Sequence, residues 1–216
     1  MDAALRYARG VPDTGPIHDC TGALVAGGRA ARMGGIPKGL LRVDGEPIAA
    51  RTLRLFGALF DDALVVANDP APYAGLGARV VGDLLPGKGA PGGLHAALAS
   101  ARTGWVFAAA CDMPFVSEAG VRLLAAHRGD ADAVMVRFGG RLEPLHAFWS
   151  RRCLPVLERL LRDGDPSLRD LAAAVRCRIV DEPEWRAIDP AGRALANANT
   201  PEEAARLGLA ADAANT

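Results

Sequence analysis

Neither sign of charge is in excess in this 216-residue chain: 25 acidic residues balance 25 basic ones. No net field draws it to nucleic acid or to an anionic membrane, and any basic patch has to be local. Long apolar runs are missing too, since the longest, Trp105 to Cys111, falls far short of the ~20 residues that cross a bilayer. Cys20, Cys111, Cys153 and Cys177 are far apart, with no Cys-x-x-Cys pair and no paired histidines, which excludes a zinc-ligand pattern and reads as reduced thiols in a cytoplasm. The first twenty residues hold no apolar centre and do not resemble a secretory signal. His18, His95 and His127 lack partners that would make a triad, and His146 either faces a substrate or is structural; nucleophilic catalysis has no support. Lysine is scarce as well: Lys38 and Lys88 are the only two among the 25 cations.

The length suits one α/β domain with a substantial core. Residues 1–20 read as a loose N-terminal extension, 21–208 as the domain and 209–216 as a frayed tail. Short apolar runs alternate with helical patterns, the signature of βαβ units around a mainly parallel sheet. Strands are expected at 23–26, 63–67, 79–82, 105–110, 133–136 and 177–180. Gly139-Gly140 predicts a tight reversal into an antiparallel return strand over 142–149. Helices are expected after Pro47, from Gly92 or Gly93, from the Ser117 cap to about Arg128, over 151–162, and after the Ser167 and Thr200 caps.

Three loops carry the chemistry, because ligands of open α/β sheets lie beyond the carboxyl ends of the strands. The first, Val25-Ala26-Gly27-Gly28 through Arg29, Arg32 and Lys38, is a strand handing over to glycines and spaced cations: a polyphosphate loop, or a glycine-rich turn with solvated arginines. The second, Asp83 to Gly93, is rich in glycine and proline and either walls a nucleotide base or merely enters a helix. Both lysines fall in these two loops. In the third, Asp112 follows an apolar strand, where its carboxylate can bridge a hard cation to phosphate or cap its own turn. Asn197-Ala198-Asn199-Thr200 precedes a helix start and reads as capping chemistry or as an anion site.

Taken together, Ala26-Gly27-Gly28 with Arg32-Met33-Gly34 and Lys38, Asp83, Gly89 to Gly93, Cys111-Asp112-Met113-Pro114 and Asn197-Ala198-Asn199-Thr200-Pro201-Glu202 resemble the molybdenum cofactor guanylyltransferase family, in order and spacing from about residue 22 to 207. The resemblance implies a single Rossmann-like three-layer α/β/α domain that joins GMP from GTP to the terminal phosphate of molybdopterin with Mg²⁺ and releases pyrophosphate. It further implies GTP and molybdopterin as substrates and other molybdenum cofactor assembly proteins as partners. Carried over by position, the nucleotide would be met by Val25, Ala26, Gly27, Gly28, Lys38, Asn68, Asp83 and Gly93, Mg²⁺ by Asp112, and molybdopterin by Asn197 and Asn199. Arg32, Lys38 and Asp112 would be the catalytic residues.

Some positions depart from the family pattern. Val25 replaces a usual leucine, Pro37 an acid, Ala90-Pro91-Gly92-Gly93 the usual Pro-Leu-Ala-Gly, and Val66 an asparagine, with Asn68 close by. These departures bear on which base is chosen. A related nucleotidyltransferase using CTP or another phosphorylated acceptor, and a nucleotide-binding module without catalysis, are the competing expectations.

Overall fold

The computed structural model describes residues 14–26, 32–33 and 35–210. The described chain begins with β1 (Ile17–Val25), the two-residue pairs β2 (Arg32–Met33) with β3 (Ile36–Pro37) and β4 (Arg42–Val43) with β5 (Glu46–Pro47), then α1 (Ile48–Leu59). It continues through β6 (Phe60–Val66), β7 (Arg79–Val81), α2 (Gly89–Ser100), β8 (Trp105–Ala110), α3 (Glu118–Ala126), β9 (Ala133–Phe138) and β10 (Arg141–Ser150). The last elements are α4 (Leu154–Asp163), α5 (Leu168–Ala174), β11 (Cys177–Val180), α6 (Glu182–Arg186) and α7 (Pro201–Arg206).

From Cys20 to Val25 every residue of β1 is buried, the unbroken pattern of a strand covered on both faces. It lies parallel to β6 on one side and β8 on the other, in a seven-stranded sheet of order β11-β9-β10-β8-β1-β6-β7. The expected antiparallel return is β10, paired with both β8 and β9; the other pairings within this seven-stranded sheet are parallel. Gly139 and Gly140, both at positive φ (55° and 74°), make the reversal that joins β9 to β10. Helices α1, α3 and α6 cover one face around Phe56, Phe107, Phe148 and Trp185. Helices α2, α4 and α5 cover the other through Leu94, Leu98, Leu157, Leu161 and Leu171, giving the three layers that the family resemblance implied. No described helix is long and apolar enough to cross a membrane.

The caps read from sequence are present. Ser117 Oγ accepts from Gly120 N–H, and Ser167 with Asp170 and Thr200 with Glu203 form reciprocal capping boxes. Several boundaries need correction. β1 starts at Ile17, inside the stretch read as extension; the apolar pattern is interrupted at His18 and Asp19, where Asp61 binds Asp19 N–H (2.6 Å) and Asp19 takes a left-handed φ of 54°. At the other end Ala210 exchanges backbone hydrogen bonds with Arg42, so pairing continues past 208. α2 begins at Gly89 because Pro91 fits a first helical turn, and the helix expected over 151–162 is a 3-10 turn at Arg151–Cys153 followed by α4.

Chain connections leave β1 in opposite directions, to β6 and β7 on one side and later to β8 on the other. The crevice at that switch point, beyond the carboxyl ends of β1 and β8, is where an open α/β sheet receives its ligand.

Candidate functional site

The carboxyl end of β1 is locked into the sheet. Ala26 N–H donates to the Val66 carbonyl (2.8 Å) and Cys111 N–H to the Val25 carbonyl (3.1 Å). The Ala26 amide is therefore already engaged, and Val25 and Ala26 are held firmly in the sheet. Gly27, Gly28 and the Arg32 side chain lie outside the described residues; the β2–β3 pairing sets Arg32 opposite Pro37, next to Lys38 in the chain.

Lys38 is the centre of the site. Its residue is only 3% exposed, a placement a lysine takes only with partners. Nζ donates to Asp112 Oδ2 (3.0 Å) and to Asn199 Oδ1 (3.1 Å). Residues from the first, third and C-terminal loops thus meet at one ammonium. Asp112 stands two residues beyond β8, with its side chain 17% exposed. Its carbonyl accepts from Ala198 N–H (2.9 Å), which draws the C-terminal loop in. Asn199 is fixed from behind, its N–H donating to Glu203 Oε2 (2.7 Å) within the cap of α7. Asn197 turns its amide to the Leu195 carbonyl (3.0 Å), a local turn contact apart from the Lys38 cluster.

Asn68 and Asp83 meet at the neighbouring edge of the sheet. Asn68 Nδ2 donates to Asp83 Oδ2 (3.0 Å), and Asp83 N–H donates to Asn68 Oδ1 (2.8 Å). Gly93 has a packing use. A Cβ there would stand 2.7 Å from Val25 Cγ1, so this glycine lets α2 approach β1 closely. Lys88 also departs from the phosphate reading: its Nζ donates to the Gly164 carbonyl (3.0 Å) and faces Asp165 (3.7 Å), at the C-terminus of α4.

The thiol and imidazole candidates for nucleophilic chemistry fall away. All four cysteines are unpaired, and burial pushes the thiols of Cys20, Cys111 and Cys153 up to about 12, so they stay protonated at neutral pH. His146 is fully buried, stacked edge-to-face between Phe107 and Trp185 with centroids 5.3 and 5.4 Å away, and burial holds its pKa down to about 4. It is a core residue, not one that faces a substrate. His18 and His127 contact Asp61 (3.1 Å) and Glu184 (2.7 Å) away from the Lys38 cluster.

Glu143 is the residue the sequence reading passed over. β10 is irregular between Leu142 and Ala147, and the chain there brings Glu143 close enough to Asp112 for their charges to interact. Burial raises its carboxyl pKa; Arg141 and Arg169 oppose the shift, and the Asp112 charge adds to it. The readable signal was Glu143-Pro144 at the start of a return strand aimed at the same sheet edge.

The family model of the MobA-like NTP transferase domain matches residues 22–184. A molybdenum cofactor guanylyltransferase of Desulfosudis oleivorans is 36% identical over 184 residues, covering 85% of this chain and 91% of that protein. One from Pseudomonas aeruginosa is 37% identical over 198 residues, covering 89% and 96% respectively. Among solved structures, molybdopterin-guanine dinucleotide biosynthesis protein A from Archaeoglobus fulgidus has a TM-score of 0.73 at 24% identity over 87% of this chain and 96% of that one, a likeness of fold. With the matched stretch running from β1 into α6, the chain belongs to the MobA-like NTP transferase family.

Proposed function

We propose that the protein transfers GMP from GTP to the terminal phosphate of molybdopterin and releases pyrophosphate. The observation that carries this reading is the meeting of Lys38, Asp112 and Asn199 at the switch point of the sheet, in a chain whose relatives are named molybdenum cofactor guanylyltransferases. Nucleotidyl transfer asks for alignment and charge neutralisation rather than a protein nucleophile. An oxygen of the acceptor phosphate forms the new bond to the α-phosphorus, and the bond from that phosphorus to the bridging oxygen breaks, its electron pair leaving with pyrophosphate. A phosphate monoester is already largely ionised near neutral pH, so no general base is required.

The Lys38 ammonium, with Arg32, neutralises the departing pyrophosphate. Asp112 offers one hard carboxylate, and among the described residues no group of three or more His, Cys, Asp or Glu forms a protein cage for a metal. That donor set fits Mg²⁺, which is commonly held by one or two carboxylates with phosphate oxygens and water. Bound at Asp112, Mg²⁺ would supply charge neutralisation of the triphosphate. Asn199 belongs to the acceptor side, and its bond to Lys38 links the two halves of the site. Asp83 meets the base.

Pyrophosphate release measured with molybdopterin and each of GTP, CTP and ATP tests the proposal. Turnover is expected with GTP, and Asp112→Ala is expected to lower kcat/KM by at least ~10². Preference for CTP, no turnover despite GTP binding, or insensitivity to the Asp112 change would each overturn it.

A further inference from the structure

β6 and β7 are parallel, with Val66 registered against Val81. Ala67 N–H continues the ladder to the Val81 carbonyl (2.9 Å). In the next register Asn68 and Asp83 face each other, and side-chain atoms replace the backbone rungs: Asp83 N–H donates to Asn68 Oδ1 (2.8 Å) and Asn68 Nδ2 to Asp83 Oδ2 (3.0 Å). The amide thus grips both the backbone and the carboxylate of one residue. That fixes the plane of the carboxylate, which two free torsions would otherwise leave to rotate.

A carboxylate has about four acceptor positions, and Asn68 Nδ2 fills one on Asp83. Oδ1 of Asp83 is buried and has no hydrogen-bond partner, an acceptor that native structures rarely leave unpaired without a purpose. Asn68 is exposed and Asp83 half-buried at the carboxyl edge of the sheet, while Oδ1 itself is covered, so a ligand pairs with it by displacing what covers it.

We infer that Asn68 is a positioning residue for base selection, holding the Asp83 carboxylate so that it accepts two adjacent N–H donors of a purine. This rests on the proposed placement of the base at Asp83. Guanine offers such a pair, N1–H and the 2-amino group, side by side. Hypoxanthine keeps N1–H and lacks the amine; adenine and cytosine pair their amine with a ring-nitrogen acceptor, which would face the carboxylate repulsively. A carboxylate held in one plane separates these edges, whereas a freely turning one meets a single donor equally well in each. Here Asn68 supplies a rigidity that Val66, at the position where an asparagine is usual in the family, cannot.

The test compares kcat/KM for GTP and for ITP, with molybdopterin as acceptor, in the wild type, Asp83→Ala, Asn68→Ala and Asn68→Asp. The wild type is expected to favour GTP by at least tenfold. Asp83→Ala should bring the ratio close to one, and Asn68→Ala should lower it at least fivefold while Tm stays within about 2 °C. Asn68→Asp keeps the size of the side chain but sets an acceptor against Asp83, and should lower the ratio as far; its nucleotide-induced Tm shifts with GTP and ITP give the same comparison without turnover. A ratio that collapses in Asp83→Ala and is unchanged in both Asn68 variants would overturn the role of Asn68 while leaving the base at Asp83. An unchanged ratio in Asp83→Ala removes the base from Asp83 and the inference with it. Absence of GTP-dependent turnover in the wild type would strike the proposed function itself.

Discussion

Replacing Gly93 by alanine separates a packing role from a ligand-binding one. The new Cβ would stand 2.7 Å from Val25 Cγ1, where carbon atoms prefer ~3.5–4.0 Å. Val25 is buried in β1 between two neighbouring strands, so the strain has to be met by moving α2. Gly92 gives no slack, because its own Cβ position lies 3.0 Å from Lys88 Cβ and 3.2 Å from the Leu85 carbonyl. Overpacking of this kind costs about 1–3 kcal/mol. For a chain of this size that is a fall in Tm of roughly 2–12 °C.

Val25→Ala removes the methyl in the way. Alone it should destabilise by about 1.5–3 kcal/mol through lost burial and a small cavity. Combined with Gly93→Ala, the new methyl fills that space, and the double variant should be more stable than the sum of the two singles by at least ~1 kcal/mol. Urea unfolding of the four proteins gives the cycle, and GTP titration should show affinity returning in the double variant. Additivity within ~0.5 kcal/mol, or recovered stability with nucleotide binding still lost, would refute the packing account and return Gly93 to the ligand.

The remaining expectations concern the core and the C-terminal loop. His146 has a folded pKa of about 4 against the ordinary 6.5, so between these values the unfolded chain binds the extra proton and stability rises with pH. The depression is worth about 3 kcal/mol, present above pH ~6.5 and lost as pH falls toward 4. His146→Leu should flatten that part of the denaturation profile without loss of activity; an unchanged slope would show that another group carries it. Thr200→Ala removes the hydroxyl that accepts from Glu203 N–H (3.2 Å) and should cost about 1 kcal/mol. Because Glu203 also holds Asn199 N–H (2.7 Å), the KM for molybdopterin should rise more than that for GTP. Equal changes in both would count against Asn199 as an acceptor-side residue.

Local chemistry was legible along the chain. β8 occupies the expected 105–110, stopping one residue short of the end of its apolar run, the Ser167 and Thr200 caps are where hydroxyl and acid stand three apart, and the Gly139-Gly140 turn needed two residues tolerant of positive φ. These are decided within a few residues of sequence, by burial period, capping and backbone sterics. β1 was read too short because His18 and Asp19 look like loop, and only Asp61, far along the chain, explains why they are strand.

For the site, the order of the motifs pointed to nucleotidyl transfer, and their residue types named the chemical roles. Tertiary structure alone decided who meets whom. Lys38 and Lys88 both lie in glycine-bearing loops, yet one is buried against Asp112 and Asn199 while the other closes the end of α4. Asn68 and Asp83 became a pair and Gly93 a packing contact through strand register and helix approach, and Glu143 came within reach of the Asp112 charge. Those relations depend on distances between segments far apart in sequence, which composition and spacing along one strand of chain do not contain.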